Sequence, residues 1–268
     1  MFTKHQIIKQ LEKLGARQDS VVLMHTSLRS IGKVEGGAEG LLDTLIEYFT
    51  AKGGLFCVPT HTWDNLDKDG VFTLDLQKSE SNLGAFTVVA ARDPRGIRSE
   101  NPTHSMVVFG DREKAKEFIR KDEFITTPTS PESCYGRIAE MGGYILLVGV
   151  AQDKNTYLHT VAEMLGLKNR MSDKPIKVTV RRKNGEVINR ELRLFDCSYT
   201  EDISLLFPKY DTAFRYHKAI TDGFIGNAPV QLCDAVKLKD TVALIFERSG
   251  GADPLQSPEP IPQAWYCE

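Results

Sequence analysis

Residues 144–165 read YILLVGVAQDKNTYLHTVAEML, and the break in the middle of this stretch decides the fold. The first half, YILLVGV (144–150), is a short apolar run without alternation, the pattern of a strand buried on both faces. The second half changes to helical spacing. Leu158, Val161, Ala162 and Leu165 share one side, and Asn155 stands where an N-cap is expected. A buried strand feeding a helix is one unit of an α/β layer.

Working outward, the same alternation recurs upstream. Ile7, Ile8, Leu11 and Leu14 predict a helix over 3–14 with Thr3 as N-cap. SVVLMHTS (20–27) and GLFCVPTHT (54–62) read as buried strands around a helix from about Ala38 to Thr50. Residues 63–82 are polar and irregular. LGAFTVVAAR (83–92) reads as a helix, SMVVFG (105–110) as a strand, and DREKAKEFIRK (111–121) and YGRIAEM (135–141) as helices. Downstream the pattern changes. KPIKVTVRRKNGEVINRELRLFD (174–196) carries two alternating strands around Asn184-Gly185, a strong hairpin signal. Residues 198–225 read as helical and DTVALIFER (240–248) as a last strand. The proline-rich GGADPLQSPEPIP (250–262) reads as a tail extended over the surface. The expectation is one α/β domain over 1–268, a layered mixed sheet flanked by helices with a C-terminal β-hairpin subregion.

Composition narrows the function classes. The chain has 268 residues and a formal net charge of -2, so it lacks the basic surplus of a general nucleic-acid binder. Its five cysteines (57, 134, 197, 233, 267) include no CxxC pair, which reads as reduced thiols. The charged start MFTKHQIIKQLEKLG has no apolar core of a secretion signal, and no apolar run is long enough to cross a bilayer. A cytoplasmic protein is expected.

Chemistry is expected at the strand ends, where open α/β sheets bind ligands. Three are unusually polar: His25-Thr26-Ser27, Thr60-His61-Thr62, and Gln152 to Thr156. If the strands are parallel, these converge on one edge; alternatively the hydroxyls cap the following turns. The loop SLRSIGKVEGG (27–37) puts Gly36 and Gly37 before a helix, where backbone can approach an anion. It matches neither GxxxxGK[ST] nor GxGxxG, so nucleotide and dinucleotide readings lack their fingerprints. His104 in RSENPTHS (98–105) could meet His25, His61 and His159 at a metal, but it has no ligand-spaced neighbour, and no metal is expected. His159 and Glu163 are four residues apart and share a helix face. They are either a solvent-facing pair or a general base beside a carboxylate that raises its pKa.

HTSLRSIGKVEGGAEGLLDTL, VPTHTW, RSENPTHSMVVFG, SPESCYGRI, ILLVGV, NTYLHTVAE and the later GFIGNAPVQLCDA, in this order, resemble the aminoglycoside 3-N-acetyltransferase (antibiotic N-acetyltransferase) family. The likeness runs over nearly the whole chain. It implies an α/β fold distinct from the GNAT acetyltransferases, with acetyl-CoA as donor. The implied acceptor is the 3-amino group of a 2-deoxystreptamine aminoglycoside, and the implied outcome antibiotic resistance. It implies that His159 is the base with Glu163 beside it. It also implies that Ser27, Leu28, Arg29, Ser30, Val34, Gly36 and Gly37 line the CoA site, with help from the segments of Thr60, Ser105 and Ser130. A polycationic acceptor needs carboxylates, for which Glu163, Asp64 and Asp153 are candidates, with His104 and Asn155 as further acceptor-site candidates. Asn101 stands where the family usually has a histidine, which bears on acceptor preference. With no cysteine in the matched strand ends, direct transfer in a ternary complex is expected. The other readings are acetylation of a different small amine and non-catalytic CoA binding. A monomer or homodimer is expected, without nucleic-acid or membrane partners.

Overall fold

A computed structural model describes residues 1–66, 70–168, 170–196 and 202–267. The N-terminal half follows the predicted alternation. Helix α1 (Lys4–Leu14) starts at Thr3, whose side chain accepts from the Gln6 amide in a reciprocal capping box. Strand β1 (Val21–Thr26) leads into a one-turn helix α2 (Leu28–Ile31) capped by Ser27, then α3 (Gly37–Thr50) and β2 (Leu55–Pro59). Next come β3 (Phe72–Asp75), α4 (Ala85–Arg92), β4 (Ile97–Arg98), β5 (Met106–Phe109), α5 (Arg112–Ile119), α6 (Cys134–Glu140), β6 (Tyr144–Val148) and α7 (Tyr157–Met164). The hairpin is present as β7 (Ile176–Arg181) and β8 (Val187–Leu192), closed around Asn184-Gly185 with Arg182 N–H donating to the Glu186 carbonyl at 2.8 Å. The chain ends with α8 (Asp211–Tyr216), β9 (Ile220–Ile225), β10 (Ala228–Asp234) and α9 (Ala235–Arg248).

Seven strands form one mixed sheet in the order β4-β5-β2-β1-β6-β10-β9. Only its centre is parallel: β1 runs parallel to both β2 and β6, while β5 and β10 flank this trio antiparallel. Alternate residues of the central strands feed two cores. Val21, Leu23, Cys57, Ile145 and Leu147 pack on one face, and Val22, Met24, Phe56, Leu146 and Val148 on the other. This two-sided burial is why these strands read as unbroken apolar runs. The hairpin does not join this sheet. It pairs with β3, parallel through β7, in a separate three-stranded sheet, β3-β7-β8.

Four sequence expectations need correction. Residues 63–82 contain β3, whose partner β7 lies about a hundred residues further on and leaves no local signal. The helical reading of 198–225 holds for α8 but fails at β9, and residues 197–201 lie outside the described ones. β9 and β10 form a tight hairpin whose turn is Gly226-Asn227. Gly226 has φ 59, and a Cβ there would lie 2.4 Å from the Ile31 carbonyl oxygen. DTVALIFER is helical, not a strand. Asp234 accepts from the amides of Val236 and Lys237, and Leu238, Thr241, Val242 and Ile245 bury one helical face. Finally, the tail does not merely cross the surface. Leu255 and Ile261 are buried in the core beneath the sheet, and Asp253 is ion-paired with Arg170.

Among the described residues no helix is long and apolar enough to cross a membrane. Cys57, Cys134, Cys233 and Cys267 are free thiols, and Cys197 lies outside the described residues.

Candidate active site

Because β2, β1 and β6 are parallel neighbours, their C-terminal ends meet at one edge. The three polar strand ends of the sequence therefore do converge. A cavity of about 560 Å³ lies there, walled by His25, His61, His104 and His159 from the large sheet's side and by Phe72, Leu194 and Phe195 from the small sheet's side. Asp153, Asn155, Asp196 and Asp202 also border it.

Rings dominate the wall. The His61 and His104 ring centroids are 4.3 Å apart, and Trp63 lies 5.1 Å from His61 and 5.8 Å from His104. Phe195 stacks on His159 at 4.3 Å and meets His104 edge-on at 5.2 Å, so it joins the two halves of the wall. Burial is the largest cause holding all four imidazoles uncharged. It brings His25, His104 and His159 down to about 3 and His61 well below its ordinary value. The Arg170 guanidinium pushes His159 the same way. The expected carboxylate effect on His159 is therefore overridden. Glu163 uses its oxygens on Thr127 Oγ1 at 2.5 Å and Thr129 Oγ1 at 2.6 Å, and no hydrogen bond joins it to His159 among the described residues. Burial raises the Glu163 pKa while these hydroxyls oppose the rise.

The hydrogen bonds leave loose ends on the cavity wall. His25 Nε2, His61 Nδ1 and Asn155 Oδ1 are buried and carry no partner among the described residues. A native buried polar atom left unpaired costs about 1–3 kcal/mol, so a cluster of them marks a place built for a ligand's polar groups. Asn155 is not the N-cap of α7; that position is Thr156, and Asn155 Nδ2 donates to Gln152 Oε1 at 2.8 Å.

A second groove of about 630 Å³ runs beside Thr26, Ser27, Leu28, Arg29, Gly32 and Lys33 on one side and Gly84, Ala85 and Phe86 on the other. Gly84 caps α4 without a side chain, so the first N–H groups of that helix have no intrahelical acceptor. With the exposed Arg29 and Lys33 opposite, the groove can hold a polyanion.

Not every expected residue reaches these two places. Val34 is buried in the core, and Gly36 and Gly37 take φ of 70 and 64 at the exposed start of α3. Ser30 binds back to Ser27 Oγ at 2.8 Å. Thr60 and Ser105 hydrogen-bond to each other and together hold the Arg98 guanidinium, which is an internal tie. Ser130 Oγ accepts from the Glu132 amide in its own turn. Asn101 is wholly buried. Its Nδ2 donates to the Pro128 carbonyl and its Oδ1 accepts from the Thr103 and His104 amides, so it shapes the loop that carries His104. Asp64 is exposed and accepts from Asn82. Sequence reading missed Trp63, Phe195, Thr127 and Thr129. The last two sit in an irregular segment, and nothing local marks a threonine as a carboxylate ligand. Among the described residues, no cluster of three or more His, Cys, Asp or Glu side chains is placed to hold a metal ion.

An α/β protein with a mixed sheet, a ring-lined cavity at its parallel centre and a cationic groove alongside is the class that these features define. The model of the aminoglycoside 3-N-acetyltransferase family matches residues 23–247, and the chain belongs to that family. Aminoglycoside N(3)-acetyltransferase IV from Salmonella sp is 33% identical over 162 residues, 60% of this chain and 59% of that protein's length. Aminoglycoside N(3)-acetyltransferase III from Salmonella sp is 24% identical over 278 residues, 95% of each chain. Among solved structures, AAC-IIIb with CoASH superposes with a TM-score of 0.77 at 22% identity, covering 94% of this chain and 99% of that one. A mutant of AAC(3)-IVa with apramycin superposes at 0.73 and 25% identity, covering 96% and 95%.

Proposed function

We propose that this chain transfers acetyl from acetyl-CoA to the 3-amino group of a 2-deoxystreptamine aminoglycoside, directly and within a ternary complex. The observation that carries the reading is the position of His159. It is an uncharged imidazole on the wall of the strand-end cavity, held between Phe195 and Phe207. CoA binding by a structural relative supports placing the donor in the groove of Arg29 and Lys33, which suits its phosphates.

Acetyl-CoA supplies a thioester with a good leaving group, and the chain's residues then position the amine and handle its protons. The amine nitrogen attacks the thioester carbonyl carbon, the C–N bond forms, and His159 accepts the N–H proton. The C–S bond then breaks, and the proton passes to the departing thiolate. Burial favours an uncharged His159 before the step, and the charged ring gains a counter-charge as negative charge grows on the carbonyl oxygen. Asp153 and Asp202 border the cavity and suit the acceptor's ammonium groups. The thiols of Cys57, Cys134 and Cys233 are pushed up by burial and stay protonated, which favours direct attack over a cysteine acyl-enzyme.

The dominance of rings over carboxylates on the wall favours a second reading, in which a smaller, less cationic amine is the acceptor. Thiol release from acetyl-CoA against a panel of deoxystreptamine aminoglycosides and simple amines separates the two. His159→Ala should lower turnover by about 10²–10⁴-fold with CoA binding intact. Near wild-type turnover by that variant removes His159 from the mechanism, and no thiol release with any amine sinks acetyl transfer itself.

A further inference from the structure

His61 is 2% exposed at the end of β2 and forms part of the cavity wall. One end of its ring is fixed from behind: Nε2 lies 2.9 Å from the Tyr135 hydroxyl. That hydroxyl also lies 3.2 Å from the His104 carbonyl oxygen, to which it donates. A phenol has one proton and a carbonyl has none. Both contacts are satisfied only if Tyr135 gives its proton to the carbonyl and His61 donates Nε2–H to the tyrosine oxygen. The neutral ring then carries a lone pair on Nδ1, and that atom is buried with no partner among the described residues. Tyr135 is itself wholly buried at the start of α6, so it cannot turn to water to relax the arrangement.

We propose that His61 is a specificity-determining residue whose Nδ1 accepts a hydrogen bond from an N–H or O–H of the acceptor molecule, and that Tyr135 is the positioning residue that fixes the tautomer for it. The inference rests on the acetyl-transfer reading, because it needs an acceptor in the cavity. It adds that the preferred acceptor carries a donor group that reaches His61 while its amine is at His159. An amine that lacks such a group leaves a buried lone pair unpaired, and sites built this way reject such analogues strongly. Asn155 Oδ1, a second unpaired acceptor on the same wall, selects in the same sense.

Two measurements test this. The first is 15N spectroscopy of histidine-labelled protein, with the His61 signals assigned by their loss in His61→Phe. Wild type should show a protonated Nε2 and a bare Nδ1, and saturating an accepted aminoglycoside should shift Nδ1 as it gains a hydrogen bond. Tyr135→Phe should mix the tautomers. The second is steady-state kinetics. His61→Phe keeps the ring but removes the acceptor, and should raise the acceptor KM by about 10-fold or more with kcat little changed. His61→Gln keeps an acceptor oxygen and should recover most of that loss, which a packing role would not predict. Should His61→Phe fail to fold, the loss of signals in His61→Gln assigns the wild-type spectrum, and that spectrum decides. A protonated Nδ1, an Nδ1 signal unmoved by the amine, or an unchanged KM in His61→Phe overturns the inference while acetyl transfer stands. Absence of turnover by wild type with every amine overturns acetyl transfer, and this inference falls with it.

Discussion

Acid should destabilise this protein earlier than its carboxylates would require. His25 and His104 are each 6% exposed, and burial holds their folded pKa at about 3 against 6.5 in the unfolded chain. Above pH 6.5 both rings are neutral in both states and neither contributes. As pH falls from 6.5 towards 3, only the unfolded chain takes up these protons, so stability must fall with pH. At pH 5 the linkage is about 2 kcal/mol for each ring, or about 4 kcal/mol for the two, a large share of a stability of about 5–15 kcal/mol. Asp122 and Glu163 work against this slope. Burial raises their carboxyl pKa, so the native state gains protons there as pH falls. The window from pH 7 to 5 lies above the range of the depressed carboxylates Asp19, Asp93 and Glu117, which leaves the buried histidines, opposed by Asp122 and Glu163, to set the slope. Urea unfolding at several pH values across this window measures the slope, and the imidazole C–H resonances give the folded pKa values directly. Resonances of His25 and His104 that titrate near pH 6.5 in the folded protein, or stability flat down to pH 5, would refute the reasoning.

Other outcomes follow from single contacts. Asp253→Asn removes the partner of Arg170, whose side chain is 6% exposed in the pair, and should cost about 3–5 kcal/mol in denaturant unfolding. A double change of both residues to apolar ones should recover most of that. Arg29→Ala with Lys33→Ala should raise the acetyl-CoA KM by about 10-fold and flatten its dependence on ionic strength, measured by thiol release with salt varied. Asp234→Ala removes the cap that accepts from the Val236 and Lys237 amides of α9 and should cost about 1 kcal/mol by thermal or urea melts.

The parts of the fold legible in the sequence were those with a local cause. The βα alternation through α7 was readable because β1, β2 and β6 are apolar throughout and Thr3 caps α1 in the expected way. Asn184-Gly185 announced its hairpin. Failures came where a distant partner decides. β3 exists only through β7, and the apolar core of DTVALIFER imitates a strand until the Asp234 cap and the burial of Leu238 are taken with it. At the site, the strand-end histidines were visible as polar breaks, and His159 and Asn155 reach the cavity with His104 and Asp153. The geometry of Glu163 was not legible. Spacing places it one turn from His159, but the carboxylate is held by two threonines about thirty-five residues upstream. Asn101 and Ser105 stand in matched segments and make internal hydrogen bonds, which a motif does not reveal because it does not tell which of a loop's atoms face outward.

The small sheet gives this architecture a division of labour. One wall of the cavity belongs to the parallel centre of the large sheet, whose strands are packed into a core on each face. The opposite wall is furnished by Phe72 on β3 and by Leu194 and Phe195 just past β8, on a unit with its own modest apolar cluster around Val178 and Leu192. Substitutions at Phe72 and Leu194 can remould the shape offered to an incoming molecule, whereas Phe195 is tied to the imidazole that meets it by its stacking on His159. Diversification of what is admitted should therefore accumulate on the hairpin side, and constancy on the other.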